Sequence, residues 1–152
     1  MALRVRIKHP DVSLEETSHL TSDYSSGVTL TIASSDDFAA NDYVVVGNPS
    51  EESAELGRVS AVPDNTSLTL SAALKFSHAA GTPLYRSLYN QISLERKPAS
   101  GSYAIIAEGL IEIDFDSKDG FTIVSVAAGV TTDTYKWRFY NAASGSYSAY
   151  SD

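Results

Sequence analysis

Few side chains in this sequence are of a type and spacing that could do chemistry. The histidines are His9, His19 and His78. No two of them have a metal-ligand spacing, and there is no H-E-x-x-H pair. His78 precedes Ala79-Ala80-Gly81-Thr82-Pro83, and its expected role is to hydrogen-bond a turn. The chain has no cysteine, which excludes thiol nucleophiles, disulfides and thiolate-bound metals. It has no phosphate-cradling glycine loop and no G-x-S-x-G elbow. The run Glu112-Ile-Asp-Phe-Asp-Ser-Lys-Asp-Gly120 has the oxygen density of a calcium loop, but Lys118 stands where a third acid should be. Alternation instead turns Ile111, Ile113 and Phe115 inward and Glu112, Asp114 and Asp116 to solvent. The expectation is a protein that is not an enzyme, with no catalytic residue, metal or cofactor.

Aromatic residues offer a second kind of chemistry. In Thr134 to Tyr140, Tyr135, Trp137 and Phe139 alternate with Lys136 and Arg138. Such a stripe could serve as a carbohydrate platform. With cations on the other face, the stronger expectation is a core strand at the centre of the second half of the chain. The tyrosines beyond it, Tyr140, Tyr147 and Tyr150, are the more open set, because exposed tyrosines favour interfaces.

The elements that must position these groups read as strands. Leu3, Val5 and Ile7 alternate with Arg4, Arg6 and Lys8, and Pro10 ends the strand. That strand either folds back on its own chain or acts as an arm on a neighbour's sheet edge. Ser13-Leu-Glu-Glu16 could cap one helical turn. Val28–Ile32, Tyr43–Val46, Ala54–Val62, Ser67–Leu70 and Thr82–Tyr85 are short strands separated by turn residues, the pattern of a sandwich or barrel. Ala72 to Gly81 reads as a short loop or 3₁₀ crossing that brings Leu74 and Phe76 under the barrel. Further strands are expected at Tyr89–Arg96, Tyr103–Glu108, Leu110–Phe115, Phe121–Val126, Thr134–Tyr140 and Tyr147–Tyr150. The expected organisation is an arm and connection (1–26), a small β-barrel module (27–86) and a second β module (87–152).

Charge is uneven along the chain. Net charge is −8, which argues against a nucleic-acid partner. Three bases lie in the first eight residues; from His9 to Leu74 there are eleven acids and one base, Arg58. No apolar run reaches the roughly 18 residues of a membrane span, and Met1 to Lys8 lacks the apolar stretch of a secretory signal. The expectation is a chain made without Sec-type export, with no membrane partner.

Two stretches resemble known families. Gly27-Val-Thr-Leu-Thr-Ile-Ala33, Phe38 to Gly47, Glu55-Leu-Gly-Arg-Val59, Thr66 to Leu70 and His78-Ala-Ala-Gly-Thr-Pro83 resemble a module recurrent in tailed-phage virion proteins. Its loose pattern runs F-x-x-G-D in the second piece, where this chain has Asn41 before Asp42, and ends T-P-V-Y, where this chain has Leu84. That module is similar to a small β-barrel of capsid-decorating, tail and fibre proteins. The stretch from Tyr89, with Thr134 to Asn141 (TYKWRFYN) as the F strand, resembles the back half of a fibronectin-III-like or immunoglobulin-like domain. It is too short for seven strands, so the sheet is truncated or borrows strands.

The resemblance implies an all-β chain: a small barrel, a short sandwich and an extended N-terminal arm. It further implies a virion structural protein assembled in the host cytoplasm, with capsid decoration or cement as its function and a neck, tail, baseplate or fibre-base role as the alternative. Partners would be other virion proteins, the major capsid protein first, with homo-oligomeric contacts besides. The residues expected at partner contacts are Leu3, Arg4, Val5, Arg6, Ile7, Lys8, Glu51, Glu52, Tyr147 and Tyr150. A carbohydrate-binding module is the reading from a different class.

Overall fold

The computed structural model describes residues 2–10, 17–49, 51, 53–116 and 120–151. Strands are β1 (Leu3–Lys8), β2 (Ser18–His19), β3 (Thr29–Thr31), β4 (Tyr43–Val46), β5 (Glu55–Asp64), β6 (Ser67–Leu70), β7 (Pro83–Ser87), β8 (Gln91–Lys97), β9 (Ala104–Ile105), β10 (Ile111–Glu112), β11 (Phe121–Val126), β12 (Thr134–Asn141) and β13 (Ser146–Tyr147). The chain is all-β, with no helix among the described residues. The turn expected at Ser13 to Glu16 lies outside them.

The chain divides into two units. An inserted unit takes residues 11–88 and 114–120. A discontinuous unit takes residues 1–10, 89–113 and 121–152. The chain passes from the inserted unit to the discontinuous one between residues 88 and 89, while β1 belongs to the discontinuous unit and residues 114–120 to the inserted one.

In the inserted unit six strands run in the order β2-β7-β4-β5-β6-β3. The sheet is curled, and a bridge from Leu20 to Ile32 joins the segment after β2 to the segment after β3. Its backbone hydrogen bonds are Thr21 N to Thr31 O at 3.0 Å and Ala33 N to His19 O at 3.0 Å. Alternation in β3 and β6 places Leu30, Leu68 and Leu70 inside, where they join Leu20, Ile32, Val44, Val46, Val59 and Leu84. β4 is buried at all four positions, as its continuous apolar run predicts. Each fully buried aliphatic side chain here contributes about 1.5–3 kcal/mol.

Local chemistry sets the turns of this unit. Asn41 has φ 76°, the left-handed region that glycine otherwise fills, and its side-chain oxygen accepts from Arg58 at 2.7 Å. Asp64 accepts from Thr66 N at 2.8 Å and Ser67 Oγ at 2.9 Å, closing the β5–β6 hairpin. Those bonds hold its carboxyl below the usual range, the Thr66 N–H first among them. Glu55 organises the segment after β6: its carboxylate accepts from Lys75 N at 2.7 Å and Phe76 N at 2.9 Å and meets His78 Nε2 at 3.0 Å. The segment Ala72 to Gly81 is thus a non-helical crossing, with Leu74 packed on the core. Phe76 is half-buried. His78 braces the acid that holds the turn.

In the discontinuous unit, β1 and β11 form a two-stranded antiparallel sheet over six register pairs, from Leu3–Val126 to Lys8–Phe121. The other sheet runs β10-β8-β12-β13, with β9 also on β8. Pairing sets the faces, since residues directly opposite share one. Trp137 lies opposite Leu94 and Phe139 opposite Ile92, and both aliphatics are fully buried. At Gly129 the two sheets come together: a Cβ there would overlap the Tyr135 hydroxyl and press on Leu3 and Val126.

One expectation is corrected here. The stripe Tyr135, Trp137 and Phe139 faces inward, yet all three residues are only half-buried. The full burial falls to aliphatics: Ile7, Ile92, Leu94, Ile106, Ile113, Val124 and Val126. The opposite sheet has two strands against a broader one, too few to cover three large rings.

Candidate interaction surfaces

The first surface is the outer row of β1. Of the two pairings open to Leu3–Lys8, the structure has the strand inside its own chain, on β11. Ile7 is fully buried and Leu3 and Val5 half-buried, opposite Thr122, Val126 and Val124. Those three residues serve the fold. Arg4, Arg6 and Lys8 form an exposed row on the other face. Arg6 lies over the Phe121 ring at 4.6 Å, and Ile123, half exposed, sits in the same face. Apolar side chains next to a cationic row make a surface suited to an acidic partner.

The second surface is the outer face of the larger sheet. Lys136, Arg138 and Tyr140 on β12 lie opposite Glu95, Ser93 and Gln91 on β8. Lys136 Nζ pairs with Glu95 at 3.0 Å and sits 3.9 Å from the Tyr150 ring centre and 4.5 Å from that of Tyr103. The Arg138 guanidinium lies 3.7 Å from the Tyr147 ring and 4.6 Å from the Tyr150 ring. Tyr140 and Tyr147 are a cross-strand pair with centroids 4.6 Å apart. Lys97 extends the series over Tyr103 at 5.7 Å. The result is a ladder in which cations and tyrosine rings alternate, with Tyr103, Tyr147 and Tyr150 each about two-fifths exposed.

Electrostatics fix the charge states along this face. Burial raises the Glu95 carboxyl, but hydrogen bonds from Lys136 and Tyr150 outweigh it and leave it low. The Glu95 hydrogen bond raises the Lys136 ammonium in turn. Arg138 Nε and Ser93 Oγ, cross-strand neighbours, are buried with no hydrogen-bond partner among the described residues. The centre of the ladder therefore carries unmet hydrogen-bonding capacity.

On the inner face, Asp133 accepts from Arg96 Nε and from Val130 N at 3.0 Å, and its carboxylate is almost wholly buried. The Arg96 bond, then the Val130 N–H, holds Asp133 below the usual carboxylate range. Nearby lies a cleft of about 320 Å³, lined mainly by Ala104, Ile106, Val126 and Ala128 with Arg96 and Glu108 at its edge. Both charges already have partners, since Glu108 accepts from Ala127 N at 2.8 Å.

The sequence-predicted residues thus fall in three places. Leu3 to Lys8 lie on the two-stranded sheet, and Tyr147 and Tyr150 on the larger sheet of the same unit. Glu51 is exposed in the inserted unit, where its carboxylate accepts from Asn48 Nδ2 at 3.0 Å. Glu52 lies outside the described residues, as do Lys118 and Asp119 of the acidic run. Asp116 of that run accepts from Ser53 N, at a backbone position with φ 71°. Sequence reasoning places Lys136 and Arg138 on the face away from the aromatic stripe but does not name them, Lys97 or Tyr103 as candidate contact residues. The available signal is the Lys-x-Arg alternation of β12, which puts two cations on the face that Tyr147 and Tyr150 return to.

Scans against protein-family models, curated proteins and solved structures each return no match to this chain.

Proposed function

We propose that this chain is a non-enzymatic structural protein of a tailed-phage virion, acting as a capsid decoration or cement protein. The observation that carries the reading is the segregation of charge between the units. The inserted unit holds fourteen acids and four bases, and the discontinuous unit five acids and seven bases. The bases of the discontinuous unit include the exposed β1 row and the half-buried cations of the tyrosine ladder. A protein of net charge −8 that gathers most of its cations on one unit is suited to docking that unit on an acidic surface. Binding only to the assembled shell would then stabilise the shell by mass action.

The finer architecture belongs to the same proposal. We read the inserted unit as a small β-barrel closed by the Leu20–Ile32 bridge. The left-handed Asn41, at the position where the phage-module pattern has glycine, supports that reading. We read the discontinuous unit as a fibronectin-III-like or immunoglobulin-like sandwich with one sheet reduced to two strands. The carbohydrate reading has less support, because Tyr147 and Tyr150 each have a ring face against Arg138 or Lys136 where a sugar would stack.

Immunogold electron microscopy of particles from the source culture tests the proposal. Label on heads is the expected result. Label on necks or tails moves the protein to the neck, tail or fibre-base alternative. Particles free of label overturn the virion reading.

A further inference from the structure

Arg138 is a half-buried guanidinium without an acceptor. Asp133 takes Arg96 Nε, and Glu95 takes Lys136 Nζ at 3.0 Å, but Arg138 makes no hydrogen bond and no ion pair with a described residue. Its contacts are with ring faces: the guanidinium carbon lies 3.7 Å from the Tyr147 ring centre and 4.6 Å from that of Tyr150. Such contacts use the flat face of the group and leave its edge, where the N–H donors point, without a partner. Nε is buried, while the two terminal nitrogens keep accessible surface. Directly opposite on the same face is Ser93, fully buried, whose hydroxyl also has no partner. Buried polar groups are as a rule hydrogen-bonded, so two unmet ones side by side mark a place for an acceptor. The backbone that carries the rings is fixed on β12, with Ser148 N donating to Phe139 O at 2.9 Å and Ser151 N to Trp137 O at 2.7 Å. The frame is preorganised.

We propose that Arg138, framed by Tyr147 and Tyr150, is a carboxylate-recognition site that takes an acidic side chain of a partner protein on its guanidinium edge. A carboxylate matches the guanidinium fork with two parallel N–H···O bonds, and flanking tyrosines shield such bonds from water. The local charge suits one monoanion. Lys136 is already matched by Glu95, and Lys97, the next cation on this face, is four residues from Ser93 along β8, or about 13 Å. A dianionic phosphate would meet one unmatched cation with Glu95 close by, and a polyphosphate would also meet the net charge of −8. The site belongs to the acidic-surface docking proposed above and rests on it, with Arg138 rather than the β1 row as the anchor. The virion assignment is separate.

Hexaglutamate, acetylated and amidated so that it offers only side-chain carboxylates, is titrated into the isotope-labelled full chain at low ionic strength and followed by nuclear magnetic resonance. The expected result is a saturable shift of the Arg138 Nε–H resonance, assigned through its own side-chain spin system, with those of Arg4 and Arg6 moving less. Shifts confined to Arg4 and Arg6 overturn the site and leave the acidic contact on β1. No saturable shift at any arginine overturns the site and the acidic docking together, whereas immunogold labelling decides the virion assignment by itself. Inorganic phosphate at the same concentration is the second arm, and an Arg138 shift as large as that from hexaglutamate overturns the carboxylate. Arg138→Lys, checked for folding by circular dichroism, keeps the charge without the fork and should weaken hexaglutamate binding about tenfold. Binding equal to the parent's in that folded variant also overturns the site.

Discussion

In the inserted unit, eleven buried residues form one apolar cluster under a curled sheet, with an isolated bridge between Leu20 and Ile32. In the discontinuous unit, seven buried aliphatics lie between unequal sheets, the three aromatics of β12 stay only half-buried, and cations lie along the outer face. The first unit invests its apolar residues inward. The second leaves large amphipathic side chains at its surface, where tyrosine and arginine favour contact with other molecules. The contrast sets a closely packed apolar core against the proposed contact surface, and each half of it can be attacked.

The largest effect is expected from the core of the inserted unit. Leu30→Ala removes a fully buried side chain and should cost about 2–5 kcal/mol in urea unfolding followed by far-ultraviolet circular dichroism. Trp137, the single tryptophan, reports on the discontinuous unit. If its fluorescence midpoint shifted equally, the energetic distinction between the units would vanish. Next comes Gly129→Ala, where the new methyl meets Tyr135, Leu3 and Val126. Overpacking should cost about 1–3 kcal/mol and move the Trp137 transition. An unchanged midpoint would mean the two sheets do not meet closely there.

Asp133 sharpens the comparison through pH. Its carboxyl is held below its unfolded value by Arg96 and the Val130 N–H, so its stabilisation is present above about pH 4 and is lost as pH falls through the lower folded value. Asp133→Asn should therefore lower the melting temperature near neutral pH and shrink the further drop on acidification. A drop as large as that of the parent would show that other carboxylates dominate the acid limb. The smallest effect is expected from Tyr147→Ala, about 0.5–1 kcal/mol for an exposed cation–ring contact. A loss of several kcal/mol would make Tyr147 part of the fold and remove it from the contact surface.

Most strands were legible in the sequence. The alternation of Leu3–Lys8, the apolar run Tyr43–Val46 and the repeat of Ser67–Leu70 each identify a face or a buried run from residues a few positions apart. What the sequence concealed was pairing at long range. Nothing local in Leu3–Lys8 says that its partner is Phe121–Val126 beyond an entire inserted unit. For the same reason the burial of Trp137 was overestimated: its pattern is that of a core strand, but the extent of the opposing sheet is a property of the whole fold. The tyrosine tail was legible as an open surface, whereas its cationic partners Lys136 and Arg138 become visible only when β12 and β13 lie side by side.

The distance between β1 and β11 also has a consequence in time. A ribosome adding about 5–20 residues per second makes Lys8 roughly 5 to 20 s before it makes Phe121. Throughout that interval β1 has no β11 to pair with, while the strands of the inserted unit, complete by Ser87, have already been made. An alternating, half-apolar segment thus waits for its strand, and the charged row Arg4, Arg6 and Lys8 disfavours its pairing with other edges meanwhile.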